Sequence, residues 1–176
     1  MANREALREL QSRLASRLQA ARTEGTQASW LAVEAAGKRY LFPLAQSGEI
    51  FPFASTQPVP YTQAWFLGVA NLRGGLFGVV DLAGFVAGQA PAPRSDAIRA
   101  ESRLVALNAM LEVNCALLID RLSGLRNLDS FSSSSEPPAG SPDYFGSGYT
   151  DAGGAYWQEI NLQALSQQPQ FLSISA

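Results

Sequence analysis

Residues 59–85, VPYTQAWFLGVANLRGGLFGVVDLAGF, limit what this chain can become more than any other stretch. Residues 67–72 are apolar apart from Asn71, Gly74 and Gly75 form a turn, and the apolar run resumes from Leu76 to Leu82. The pattern predicts a strand, a tight turn and a second strand. Runs that are apolar at nearly every position, not every second one, point to strands covered on both faces. Paired glycines supply the positive-φ conformations that a tight hairpin needs.

Between Glu49 and Asp81 the one formally charged residue is Arg73, immediately before that turn. Burying an unpaired guanidinium is prohibitive, so Arg73 is expected to protrude. It is either a solubility charge at an exposed tip or an anchor for a partner protein, because arginine is enriched at the centres of binding sites. Spacing alone favours the solubility charge.

Absences narrow the chemistry. The chain has no histidine, which removes Ser-His-Asp and Cys-His triads, histidine metal ligands and a phosphorelay histidine. Lys38 is the sole lysine and its context, AAGKRYLF, does not fit a phosphate-binding loop. Cys115 is the sole cysteine and reads as a core thiol. A net charge of −2 leaves no surplus of cations for phosphates, so no nucleic-acid ligand is expected. No metal or cofactor is expected either. The N-terminus lacks the apolar segment of a signal peptide, and no apolar run approaches the ~18 residues of a membrane span. A soluble, cytoplasmic protein without membrane insertion is the expectation. With 47% hydrophobic residues there is material for one domain, or for two small lobes sharing a boundary.

In chain order, residues 3–22 read as an amphipathic helix, with Leu7, Leu10, Leu14 and Leu18 at helical spacing, Asn3 as cap and Gly25 past the end. It carries five of the twelve arginines (Arg4, Arg8, Arg13, Arg17 and Arg22) and is expected to cover the side of the β domain. Residues 30–34 and 39–44 predict a hairpin around Gly37. Glu49, Ile50 and Phe51 start a further strand. Residues 102–110 and 111–119 form a second hairpin-like pair, after a turn-rich linker. Residues 130–154, rich in Ser, Gly and Pro, read as a long surface loop with partial disorder, with Tyr144 and Phe145 pinning its middle. Residues 156–160 resume a strand, Asn161 caps a short helix over 162–167, and residues 171–174 predict a final strand.

The sequence WFLGVANLRGGLFGVVDLAGF closely resembles the signature of the CheW-like chemotaxis coupling proteins, in Gly68, Val69, Asn71, Leu72, Arg73, Gly74, Val80, Asp81, Leu82 and Phe85. Its flanks match in order as well: Pro43-Leu44, Glu49-Ile50, Val59-Pro60, and later Leu118-Ile119-Asp120. The likeness covers about residues 30–165. Two departures are Gly78, where a proline is common, and Ala83, where a basic residue often follows Asp-Leu. The N-terminal helix, the Trp157-Gln158-Glu159 strand and the tail are similar to the coupling proteins of type IV pilus twitching systems.

The resemblance implies a mainly β fold, two side-by-side five-stranded SH3-like β-barrels. An N-terminal helix (1–25) would precede a CheW-like domain (28–176) containing a short C-terminal helix. It also implies a non-catalytic adaptor joining the cytoplasmic tips of methyl-accepting chemoreceptors to the regulatory domain of a CheA-type histidine kinase. Arg73, with Asn71, Leu72 and Gly74, would bind receptor, which reverses the reading from spacing alone. Glu49, Ile50 and Gly68 would face the kinase. Asp81 is equally readable as a structural group that orients a turn. A flagellar or other chemosensory pathway is the alternative role. An enzyme would need carboxylates such as Glu34 and Glu49 to converge.

Overall fold

The computed structural model describes residues 2–176, with side chains for 5–17 and 30–176. The elements are α1 (Ala2–Gln27), β1 (Ala28–Ala35), β2 (Lys38–Pro43), β3 (Ser47–Pro52), β4 (Phe66–Leu72), β5 (Gly75–Asp81), α2 (Leu82–Ala87) and α3 (Asp96–Glu101). They continue as β6 (Arg103–Leu107), β7 (Cys115–Ile119), β8 (Arg121–Asn127), β9 (Phe131–Ser135), β10 (Phe145–Asp151), β11 (Tyr156–Ile160), α4 (Leu162–Ser166) and α5 (Pro169–Leu172). They build a six-stranded sheet, β8-β1-β2-β11-β10-β9, and a five-stranded sheet, β3-β6-β7-β5-β4. Each sheet contains one parallel pair, β2 with β11 and β5 with β7. No described helix is long and apolar enough to cross a membrane.

Both sheets curl so that one face of each encloses its own core. In the five-stranded sheet all strands contribute: Phe51, Ala70, Leu72, Val79, Leu104, Ala106, Ala116 and Leu118. In the six-stranded sheet Trp30, Ala32, Leu41 and Trp157 do so, with Phe131 and Tyr149 against them. The outer faces meet in a third core, a seam between the sheets. A period of two sorts the side chains. Along β1, Leu31, Val33 and Ala35 enter the seam while Trp30 and Ala32 point inside their own sheet. Along β7, Cys115, Leu117 and Ile119 enter the seam while Ala116 and Leu118 turn inward. Both faces are therefore apolar, which is why the runs are continuous, and each large side chain so buried contributes about 1.5–3 kcal/mol. Burial pushes the Cys115 thiol up to about 12, consistent with a core residue.

One ionic network crosses from sheet to sheet. Asp81, 1% exposed at the end of β5, accepts from Gly84 N at 2.7 Å and so caps α2. Its other oxygen meets Arg94 Nη2 at 2.5 Å, and Arg94 Nε donates to Asp120 Oδ1 at 2.6 Å. Asp120 Oδ2 in turn accepts from Ala36 N, in the β1–β2 turn, at 2.8 Å. Burial alone would lower the Arg94 pKa, but attraction to Asp81 and hydrogen bonds to both carboxylates outweigh it and the net shift is upward. Arg94 thus ties the ends of β5 and β7 together, and Asp120 carries the link onward to β1 and the β1–β2 turn of the opposite sheet.

Several expectations need correction. The tight turn consists of Arg73 and Gly74, with Leu72 opposite Gly75, one residue earlier than the paired glycines suggest. Residues 130–154 are no disordered loop but hold β9 and β10. β9 is an edge strand, so its serines need only face solvent, and Phe131 alone packs inward against Trp30 and Tyr149. The glycines of β10 make room for β11: a Cβ on Gly148 would sit 2.2 Å from the Tyr156 hydroxyl. Tyr144 does anchor the segment in the seam. Residues 169–172 are helical, started by Pro169 at the first turn, and only a single bridge, Thr62 to Ser175, follows. β8 gives the first sheet a sixth strand. α1 extends past Gly25, and its described side chains, Leu7, Leu10 and Leu14 included, are exposed and do not cover a barrel. Leu18, Arg4, Arg22 and the Asn3 cap lie outside the described side chains.

Replacing Arg94 leaves Asp81 buried and uncompensated. Arg94→Ala is expected to lower unfolding free energy by about 3–5 kcal/mol in a urea titration. A loss below about 1 kcal/mol would mean that Arg94 does not hold the ends of β5 and β7 in place.

Candidate functional site

The β4–β5 hairpin projects its turn at one end of the five-stranded sheet. Arg73 and Gly74 both have positive φ, 49° and 79°, as a two-residue hairpin turn with native twist requires. An arginine adopts that backbone less readily than glycine or asparagine, so the turn is supported from its flank. Asn71 Oδ1 accepts from Gly74 N at 3.0 Å and supplies that support. Leu72 is buried in the core of the sheet and fixes the base of the turn. A Cβ built on Gly74 meets nothing within 4 Å, so the tip faces open space.

The Arg73 side chain is 77% exposed and its Nη1 lies 2.6 Å from Glu49 Oε1 on β3. Glu49 is the residue that bounds the charge-poor stretch in the sequence, and the curl of the sheet brings it across to the arginine. With Glu49 also 43% exposed, the pair is solvated on both sides. Such surface pairs contribute about 0–1 kcal/mol, so a carboxylate from outside can replace Glu49 at little cost. Ile50 and Leu76, both exposed, put apolar surface beside the charges. An exposed guanidinium with apolar surface beside it, and its own carboxylate exchangeable, can accept a carboxylate from another molecule.

The expected site residues therefore divide. Arg73, Asn71, Gly74, Glu49 and Ile50 come together around the tip. Leu72 is buried beneath it. Gly68 lies down β4, buried, with φ of 124°, and a Cβ there would be 2.1 Å from Gln57 O. Gln57 crosses at that point to form paired backbone hydrogen bonds with Val69, at 2.7 and 3.0 Å. Gly68 serves this close approach and presents no side chain of its own. Glu34 and Glu49 sit on different sheets, Glu34 beside Arg39 and Arg121 and Glu49 beside Arg73.

Sequence reasoning missed Arg94. The available hint was that GVVD and LLID each end an apolar strand in an aspartate; the structure pairs these strands in parallel, with Asp81 opposite Leu118 and Arg94 between Asp81 and Asp120.

Gly68→Ala should displace residues 57 and 58 and lower unfolding free energy by about 2 kcal/mol or more, read by thermal or urea unfolding. A change within about 0.5 kcal/mol would show that the crossing relaxes freely.

Comparison with known proteins gives a consistent result. The family description "CheW-like domain" matches residues 29–170. Protein PilI of Pseudomonas aeruginosa is 28% identical over 127 residues, covering 71% of this chain and 68% of that protein. The crystal structure of the scaffolding protein TtCheW from Thermoanaerobacter tengcongensis superposes with a TM-score of 0.64 at 18% identity, over 82% of this chain and 95% of that one. The two curled sheets, the Asn71–Gly74 turn and a family match over most of the chain agree: this protein belongs to the CheW-like domain family.

Proposed function

We propose that this protein is a non-catalytic adaptor that couples membrane chemoreceptors to a CheA-type histidine kinase, in a chemosensory pathway controlling type IV pilus twitching motility. Family membership supports the coupling role, and the kinship to PilI supports the pilus pathway over a flagellar one. In this reading α1 is an appendage to a coupling domain formed by residues 28–176, and the protein works in the cytoplasm at receptor arrays.

The observation that carries the reading is the exposed Arg73–Glu49 pair. Arg73 is the receptor anchor, and Asn71 and Gly74 hold it in its turn, with Leu72 setting the base. Glu49 and Ile50 form the adjoining kinase-facing edge, which Gly68 supports from within β4. Because Arg73 and Glu49 touch, a receptor carboxylate that takes the arginine releases Glu49 for the second partner. The two contacts are thereby linked at one point.

Arg73→Ala tests this. Receptor-fragment affinity should fall some tens-fold, about 2 kcal/mol, while unfolding free energy moves by less than about 1 kcal/mol. Unchanged capture of receptor fragment by the folded variant would refute the anchor role.

A further inference from the structure

Away from the hairpin tip, the backbone of Tyr61 has a φ of 60°, in the left-handed region. Glycine or asparagine takes that conformation easily, whereas a bulky aromatic residue there is an outlier. The ring gains nothing from folding in return, since Tyr61 is 90% exposed, more than any other large apolar side chain described. The segment is held rigidly. Ala176 N donates to Tyr61 O at 2.9 Å, Gln63 N to Ile174 O at 2.7 Å, and Gln63 Nε2 to Ser175 O at 2.9 Å. A strained residue that the surroundings force outward points to a function for its side chain.

Beside this knob is a cavity of about 360 Å³. Trp65 and Phe85, edge to face at 4.9 Å, form its floor, and Gln63, Gln170 and Ser173 its rim. Residues 50–72 and 160–176, which build this face together with Phe85 and Gly88, contain no charged side chain. Val59 and Leu172 add exposed apolar surface. Charge depletion with exposed aromatic residues is the composition of an interface centre.

We propose that two copies of this chain pair through this face, with Tyr61 of each copy seated on the Trp65–Phe85 floor of the other. A two-fold contact requires a patch complementary to itself, in which one residue meets a second and the second meets the first. Here knob and receiving pocket lie on one face. The charge also fits a second copy: a face that carries no charged side chain sets no like charges against each other when it meets itself. This pairing is independent of the receptor and kinase reading.

Sedimentation of the full chain across a concentration series tests it. The wild type should pass from monomer to dimer as concentration rises. Tyr61→Asn should raise the dissociation constant tenfold or more while the melting temperature holds or rises, because the strain is relieved. Ser173→Glu, at the pocket rim, should weaken association equally. Mixing the two variants should restore part of it, since one knob then meets one intact pocket. Leu10→Glu on α1 should leave the constant unchanged. A wild type monomeric throughout, undiminished pairing of either folded variant, no gain on mixing, or loss with Leu10→Glu would each overturn the proposal.

Discussion

A strand that is apolar at every position has to be covered twice, and the arrangement of this protein follows from that requirement. β1, β2, β5, β6 and β7 each send alternate side chains into a private core and into the common seam. Neither sheet can leave the other without exposing Phe42, Leu117, Ile119 and their neighbours to water. Hydrophobic attraction is non-directional, and directional contacts are added by Arg94 between Asp81 and Asp120 and by the bonds from Asp120 to Glu34 O and Ala36 N. A mostly buried arginine between two aspartates is costly to desolvate, but its geometry is demanding, and it joins a helix cap, two strand ends and a turn of the opposite sheet.

The candidate site has the opposite character. Arg73 and Glu49 are held by solvated attraction alone, on a turn whose backbone Asn71 stabilises. Few core contacts depend on where the guanidinium points, so it can change partners without disturbing the fold. In the proposed adaptor role, the two-sheet body would keep two contacts in register while the surface trades one carboxylate for another.

Much of this was legible in the residues, and the illegible parts have physical causes. The hairpin was readable because β4 and β5 are apolar at nearly every position and turn through glycine, although only three of seven residues in each are buried. Its turn lay one residue from expectation because Arg73 takes a conformation that its residue type does not announce. β9 and β10 were hidden because an edge strand can be made of serine, and because glycine there provides space for Tyr156 and Glu159. The pairing of Arg73 with Glu49 depends on how the five-stranded sheet curls, and that of Arg94 with Asp81 on where the segment between α2 and α3 crosses the strand ends, which no local pattern encodes. α1 has a leucine stripe, but α2, α4 and α5 already contribute Leu82, Phe85, Leu162, Leu165 and Phe171 to the seam.

In the proposed function the protein acts by presenting the arginine turn from a body that does not itself rearrange. Backbone amide shifts of the isotope-labelled chain, followed as a soluble receptor-tip fragment is added, test it most directly. Perturbations should centre on Asn71, Arg73, Gly74, Glu49 and Ile50, with the amides of Ala36 and Gly84 beside the Arg94 network unmoved. Saturable binding that leaves the turn silent, or that shifts the network instead, would contradict it.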